Sequence, residues 1–277
     1  MVPILTVERG FIGVGGFVLL LLIEAVWPFR RPVELRWRRY AINVFIAGSN
    51  ALLLSIVLGG LIVAIYHTLE LYRIGLLFHL GIDSWWNVVL TVVYLDGTTY
   101  FWHRAYHGLP VMWRMHRVHH SDRDLDVTTS GRFHLTEMVL SAIFRLGVIA
   151  LWGASVASVV MFEIVFGLLN QIEHANLHLP QRLDEILRWI FVTPDMHRIH
   201  HSQIAEHTNS NYSTIFSFWD RLFGTYRFGF AQQRLTIGLP EYQRAADVMF
   251  GKVLVMPFGP PCKIDPQSRS AAVVPAH

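Results

Sequence analysis

One cysteine, Cys262, is all that the 277 residues contain. An internal disulfide is therefore excluded, and so is any multi-cysteine zinc or iron–sulfur site within the chain. Charged residues are scarce too, at 16 %, where an average soluble domain carries about 25 %. No low-complexity tract and no fixed-period repeat occurs, which sets aside linkers, solenoids and propellers. Neither HExxH nor its inverse is present, and no GxGxxG opens a helix, so the zinc-peptidase and dinucleotide signatures are both missing.

What fills the chain instead is apolar. Hydrophobic residues make up 53 % and the mean hydropathy is +0.38, a shift toward an integral membrane protein. An isoelectric point near 9.2 would admit nucleic acid, but the positive charge is not laid out as a binding face. Arg30, Arg31, Arg36, Arg38 and Arg39 crowd one short segment between two apolar runs. That is the pattern of a cytoplasmic loop under the positive-inside rule. No nucleic-acid partner is expected.

Apolar runs at 10–28, 41–66 and 86–102 have roughly the 20-residue length of spanning helices. The first reads as a retained helix rather than a signal peptide, since no small-residue cleavage site follows it,. Residues 67–85 are expected to lie along the interface as an amphipathic helix. Trp85, Trp86 and Trp102 fall where aromatic belts sit,. The block 138–169 is too long for one comfortable span and is interrupted by Gly153, Ala154 and Ser155. A helical hairpin is the expected result, and it keeps the histidines on either side of the block on one membrane face, which the arginine loop makes cytoplasmic. Within the hairpin, Arg145 and Glu163 either pair or line a substrate cavity, or else Arg145 snorkels and Glu163 meets water.

The expected architecture is all-α: a polytopic membrane helical bundle of about three spans plus a helical hairpin, with a cytoplasmic histidine-rich helical cap. Three regions follow: N-terminal membrane helices and an interfacial segment (1–85), a catalytic domain (86–228), and a polar, exposed tail (229–277). The closing AAVVPAH shows no retrieval motif, which favours a bacterial inner membrane over endoplasmic reticulum.

Histidine is the anomaly. There are 15, of which 12 fall between His103 and His207. They form four boxes: HRAYH (His103, His107), HRVHH (His116, His119, His120), EHANLH (His174, His178) and HRIHH (His197, His200, His201). On a helix, residues i, i+3 and i+4 project from one face. A pair at i and i+4 can close on one metal, while a third at i+3 reaches toward a second. Neutral imidazole suits Zn, Cu, Fe or Ni, so spacing does not name the metal. Ten histidines exceed what one four-coordinate ion holds, and point to two ions with vacant positions. His67, His79 and His277 stand alone and read as interfacial or hydrogen-bonded residues. His134 and His207 are each open to a ligand, an outer hydrogen-bonding or a structural role. Asp96, Asn176, Asp195 and Asn211 are candidates to hold the imidazoles from behind, with helix capping the plainer role for Asp195.

The runs DGTTYFWHRAYH, WRMHRVHHSDRDLDVTTSGRFHLTE, EHANLHLP and TPDMHRIHHS with NSNYSTIFSFWDRLFGTY together resemble the fatty acid hydroxylase / sterol desaturase superfamily, over roughly residues 90–228. The resemblance implies a di-iron centre, activation of molecular oxygen, and hydroxylation or desaturation of an unactivated C–H bond in a lipid. The ligands it implies are His103, His107, His116, His119, His120, His174, His178, His197, His200 and His201. Where the family often has proline after RFH, this chain has Leu135, which leaves roles for His134 and Glu137 open. The implied partners are the membrane, a lipid substrate (sterol, hopanoid, fatty acyl, carotenoid or ether lipid) and a separate reductase, ferredoxin or cytochrome as electron donor. Two rival classes stand beside this reading. A metal transporter would carry its ligands near mid-membrane, and a membrane zinc hydrolase would need the missing HExxH.

Overall fold

The computed structural model describes residues 2–82 and 85–260, so Cys262, His277 and the proline-rich end lie outside the described residues. Helix α1 (Val2–Val26) and the long α2 (Arg36–Leu71) lead through a one-turn α3 (Leu76–His79) to α4 (Trp85–Gly108). Next come α5 (Pro110–His120), a 3-10 turn (Val127–Gly131), and the hairpin of α6 (Leu135–Trp152) and α7 (Val156–His174). Short helices complete the chain: α8 (Gln181–Leu187), α9 (Pro194–His200), α10 (Ala205–Thr208), α11 (Phe218–Leu222) and α12 (Phe250–Val255). No β-structure beyond two isolated bridges forms among the described residues.

Helices α1, α2, α6 and α7 are long and apolar enough to cross a membrane. Phe11, Leu22, Leu52, Ile56, Ile143 and Leu151 are exposed on them, giving an outer surface of the kind a bilayer covers. Inside, Leu69, Leu95, Ile149, Val159, Phe162 and Ile215 form the main buried cluster. The expected hairpin is present. Gly153 ends α6 in the left-handed region (φ 78°), and the Ser155 hydroxyl caps α7 by accepting from Ser158 N. Gly75 (φ 114°) lies against Gly153, and a Cβ at Gly75 would meet the Gly153 backbone at 2.2 Å. Only glycine fits there.

Three elements differ from expectation. The second run continues to Leu71 because HTLEL holds no helix breaker, and it stops where Arg73 and Gly75 take positive φ. The interfacial helix expected over 67–85 is thereby reduced to the single turn of α3. Helix α4, expected as a span, falls below the apolarity of the other four because it carries Asn87, Thr91 and Asp96, all buried. It still runs the height of the bundle. Asn87 Nδ2 donates to the Gly153 carbonyl at the hairpin tip (3.3 Å), while His103 lies about 24 Å further along the helix axis, among the other histidines. Finally, the polar segment after 230 is not an exposed tail as far as residue 260. Leu235, Ile237, Leu239, Val253 and Met256 are buried, and Arg117 donates to the carbonyls of Met256 and Pro260.

The alternatives for the hairpin charges are resolved as a pair. Arg145 donates to Glu163 (2.6 Å), its guanidinium stacks over Phe162 and Phe166, and Arg9 stands 3.9 Å from the same carboxylate. This joins α1, α6 and α7. At the opposite end the arginine-rich loop meets the histidine region. Arg39 pairs with Asp122 (3.3 Å) and Asp126, and Asn43 Nδ2 donates to Asp122 (2.8 Å). Arg132 then donates to Asn43 Oδ1 (2.7 Å) and to the Val118 carbonyl (3.1 Å), which fixes the last turn of α5.

Candidate metal centre

Four helices deliver imidazoles to one end of the bundle: α4, α5, α7 and α9. Proline begins both α5 and α9, and the Thr193 hydroxyl caps α9 by accepting from Met196 N, so each HxxHH box occupies the close of a short helix with a defined start. Nine of the ten expected ligands converge in two groups. His103, His107, His116, His120 and His200 form one, and His119, His174, His197 and His201 form the other. Within each group the nitrogens lie within 4.8 Å of one another.

The boxes cross over. HRVHH gives its i and i+4 members, His116 and His120, to the five-membered group and His119 to the other. HRIHH does the reverse, giving His197 and His201 to the four-membered group and His200 to the five-membered one. Helical periodicity explains this, because i and i+4 lie nearly above one another while i+3 is displaced around the helix.

Hydrogen bonds aim these rings. His103 Nδ1 donates to the Tyr212 carbonyl (2.8 Å), His200 Nδ1 to Ser210 (2.7 Å) and His174 Nδ1 to Asn170 (2.7 Å). A carbonyl can only accept, so each Nδ1 carries the proton and each Nε2 presents a bare lone pair to the group. Between the first two carbonyls sits Asn211, buried and at φ 53°, a left-handed conformation that asparagine tolerates. Its side chain donates to the Met196 and Arg227 carbonyls (2.9 and 2.8 Å), which holds the turn.

The four-membered group explains why a cation fits. His119, His174, His197 and His201 make a chain of three Nε2–Nε2 contacts, each 3.1 Å. Each such nitrogen has one proton or one lone pair, and His174 Nε2 has only a lone pair, so the three contacts cannot all be hydrogen bonds. Ligands at right angles about one ion stand 3.1 Å apart when each is roughly 2.2 Å from it, near the metal–imidazole distances of about 2.0–2.1 Å for zinc. The lone pair of His200 Nε2 in the other group is buried with no hydrogen-bond partner. Burial also keeps the rings neutral. It pushes His116 down to about 3, and burial followed by neighbouring imidazoles holds His119, His120, His197 and His201 well below the usual range. Neutral imidazole is the ligand form.

His178 stands apart from both groups. Its Nδ1 lies 2.8 Å from Asp195, and its ring stacks on Phe29. Asp195 also takes Arg198 (2.6 Å), so it serves this outer cluster. His134 caps α6 by accepting from Thr136 N, and His207 bonds the Ser202 hydroxyl (3.0 Å); neither joins a group. Asp96 accepts from Ile215 N, Phe216 N and Trp219 Nε1, and Asn176 clamps the backbone of Arg30. Two features escaped the sequence reading. Phe133 stacks on His119 (centroids 4.4 Å apart), and Glu173 stands behind His174 and His197. A buried glutamate at the end of an apolar 19-residue helix was the available signal for the second.

An apolar helical bundle with four helices able to cross a membrane and two imidazole groups able to hold metal at one end has the make-up of the histidine-box class. Comparison with known proteins makes the assignment specific: residues 88–225 match the fatty acid hydroxylase family, and the chain belongs to it. An alkylglycerol monooxygenase of Xenopus tropicalis is 30 % identical over 217 residues, covering 76 % of this chain and 46 % of that protein. An ornithine lipid hydroxylase of Rhizobium tropici is 32 % identical over 153 residues, 53 % of this chain and 45 % of the relative. A cholesterol 25-hydroxylase of Rattus norvegicus is 23 % identical over 154 residues, 55 % and 50 % respectively. The chain thus spans half or less of the length of these relatives. No solved structure matches it.

Proposed function

We propose that this chain is a membrane-bound di-iron monooxygenase that uses O2 to hydroxylate an aliphatic C–H bond of a lipid. The observation that carries the reading is the convergence of nine buried or half-buried imidazoles into two groups at one end of an apolar bundle. Iron in those groups, reduced by a separate ferredoxin, cytochrome or reductase, would supply oxygen activation. The chain's own residues hold, orient and seclude. Tyr212, Ser210 and Asn170 carbonyls set the tautomers, and the apolar bundle keeps water from the four-imidazole group.

Hydroxylation is favoured over desaturation because the similar proteins named above are two hydroxylases and a monooxygenase. A lipid substrate agrees with their names and with the apolar outer surface. A transporter would carry its ligands at mid-span, whereas these lie at helix ends beside the arginine-rich loop. That loop shares an end with the histidines through Arg39 and Asp122, and the positive-inside rule supports a site on the cytoplasmic side. The test is reconstitution: purified protein in lipid nanodiscs, loaded with iron, given a ferredoxin–reductase pair and a panel of sterol, ornithine and ether lipids. Oxygen-dependent gain of one hydroxyl on one lipid class supports the proposal. Metal-loaded, reducible protein that consumes no oxygen with any lipid contradicts it.

A further inference from the structure

Each imidazole group has one buried glutamate on its outer side, and neither glutamate belongs to the ligand sets. Glu137 Oε1 on α6 lies 2.7 Å from His116 Nδ1. On α7, Glu173 places Oε1 3.8 Å from His174 Nδ1 and Oε2 3.7 Å from His197 Nδ1. Both side chains are buried, and the Oε2 atom of each has no hydrogen-bond partner. Leaving a carboxylate oxygen buried and unpaired is costly, so its retention at both groups calls for a reason.

We propose that Glu137 and Glu173 are positioning residues, one for each metal position: Glu137 fixes His116 in the five-imidazole group, and Glu173 fixes His197 in the four-imidazole group. The proposal rests on the di-metal reading above and assigns separate control of its two ions. His103, His174 and His200 are fixed by backbone carbonyls. His116 and His197 face no such carbonyl at Nδ1, and the carboxylates stand there instead.

His197 shows what is at stake. Its Nε2 is 3.1 Å from both His174 Nε2 and His201 Nε2, and its Nδ1 has no partner. With its single proton on Nε2, His197 can hydrogen-bond the bare Nε2 of His174, but it then has no lone pair to offer a metal. Moving that proton to Nδ1 frees the Nε2 lone pair and hands Glu173 Oε2 the hydrogen bond it lacks. The 3.7 Å gap is longer than a hydrogen bond and closes with a small side-chain shift. Carboxylates in this place fix the tautomer and raise ligand basicity, and their loss weakens metal binding by about 10–100-fold.

The test measures metal rather than turnover. Full-length protein in detergent is loaded with iron for metal analysis and titrated with cobalt(II), read by its visible absorption, alongside thermal unfolding. Wild type is expected to hold two ions per chain. Glu137→Leu and Glu173→Leu should each keep one ion at wild-type affinity and bind the second about 10–100-fold more weakly, with different cobalt spectra because different positions empty. Glu137→Gln and Glu173→Gln retain an accepting oxygen and should stay close to wild type. Two ions at wild-type affinity in the leucine variants would overturn the proposal. So would loss of both ions together with a lowered unfolding temperature, or glutamine variants as defective as the leucine ones. A wild type that takes up no metal would overturn the di-metal reading itself, which is a separate failure.

Discussion

Asp96 is the acceptor around which the 215–219 segment is built. Its Oδ1 takes Ile215 N (3.1 Å), and its Oδ2 takes Phe216 N (3.1 Å) and Trp219 Nε1 (2.9 Å). Asp96→Ala leaves three buried donors without an acceptor. Each buried donor left unsatisfied costs roughly 1–3 kcal/mol, and relief from burying the carboxyl group offsets part of the sum. A net loss of about 3–5 kcal/mol is expected from the three donors together. At about 2–4 °C per kcal/mol for a domain of this order of size, Tm should fall by roughly 10 °C. The same segment continues from the turn that supplies the Ser210 and Tyr212 carbonyls to His200 and His103. The five-imidazole group should therefore lose its ion before the four-imidazole group does. Tryptophan fluorescence of the detergent-solubilised protein reports the melting, with Trp219 itself in the affected segment, and metal analysis reports the ions. A variant that melts within about 2 °C of wild type and keeps both ions would refute the reasoning.

His178→Ala should retain both ions, in contrast to alanine at any of the nine converging histidines, because His178 contacts Asp195 and Phe29 instead; loss of one ion in metal analysis would place it in the ligand set after all. The metal-free protein should lose stability in mild acid. Its buried imidazoles protonate far below the usual value of about 6.5, His116 at about 3, so the unfolded chain binds more protons in that window. Stability is then full above about pH 6.5 and falls toward about pH 3, by up to about 1.4 kcal/mol per pH unit for each such histidine. Denaturant midpoints that are equal at about pH 7.5 and about pH 5.5 would contradict this.

Much of the site was legible because it rests on periodicity. The i, i+3, i+4 spacing in HRVHH and HRIHH already sets one histidine of each box apart from the other two, and the structure divides the imidazoles between two groups in that way. The hairpin was legible from Gly153 and Ser155, a helix stop and a helix start in adjacent places. Less visible was anything that depends on what packs behind a residue. EHANLH offers two histidines at i and i+4, yet α7 ends at His174, so His178 falls outside helical register and turns to Asp195. Asp96 looked like a partner for an imidazole because both are polar on one helix, while its acceptors serve a loop far along the chain. The segment after 230 read as polar, although Leu235, Ile237 and Leu239 alternate at the strand period and all three point inward. Helix α4 shows the same lesson from the other side: its polar residues are buried against neighbours, which hydropathy alone does not reveal.

The central claim is that the two imidazole groups hold an oxygen-activating centre acting on a lipid. Lipid mass spectrometry of cells expressing wild type or His200→Ala, grown under isotopically labelled oxygen, tests it most directly. The account predicts one lipid class carrying a single labelled oxygen in wild-type cells and none in the variant, with both proteins inserted in the membrane at equal level. Labelled lipid at equal yield from both would contradict it, since His200 would then be dispensable and the site would lie elsewhere.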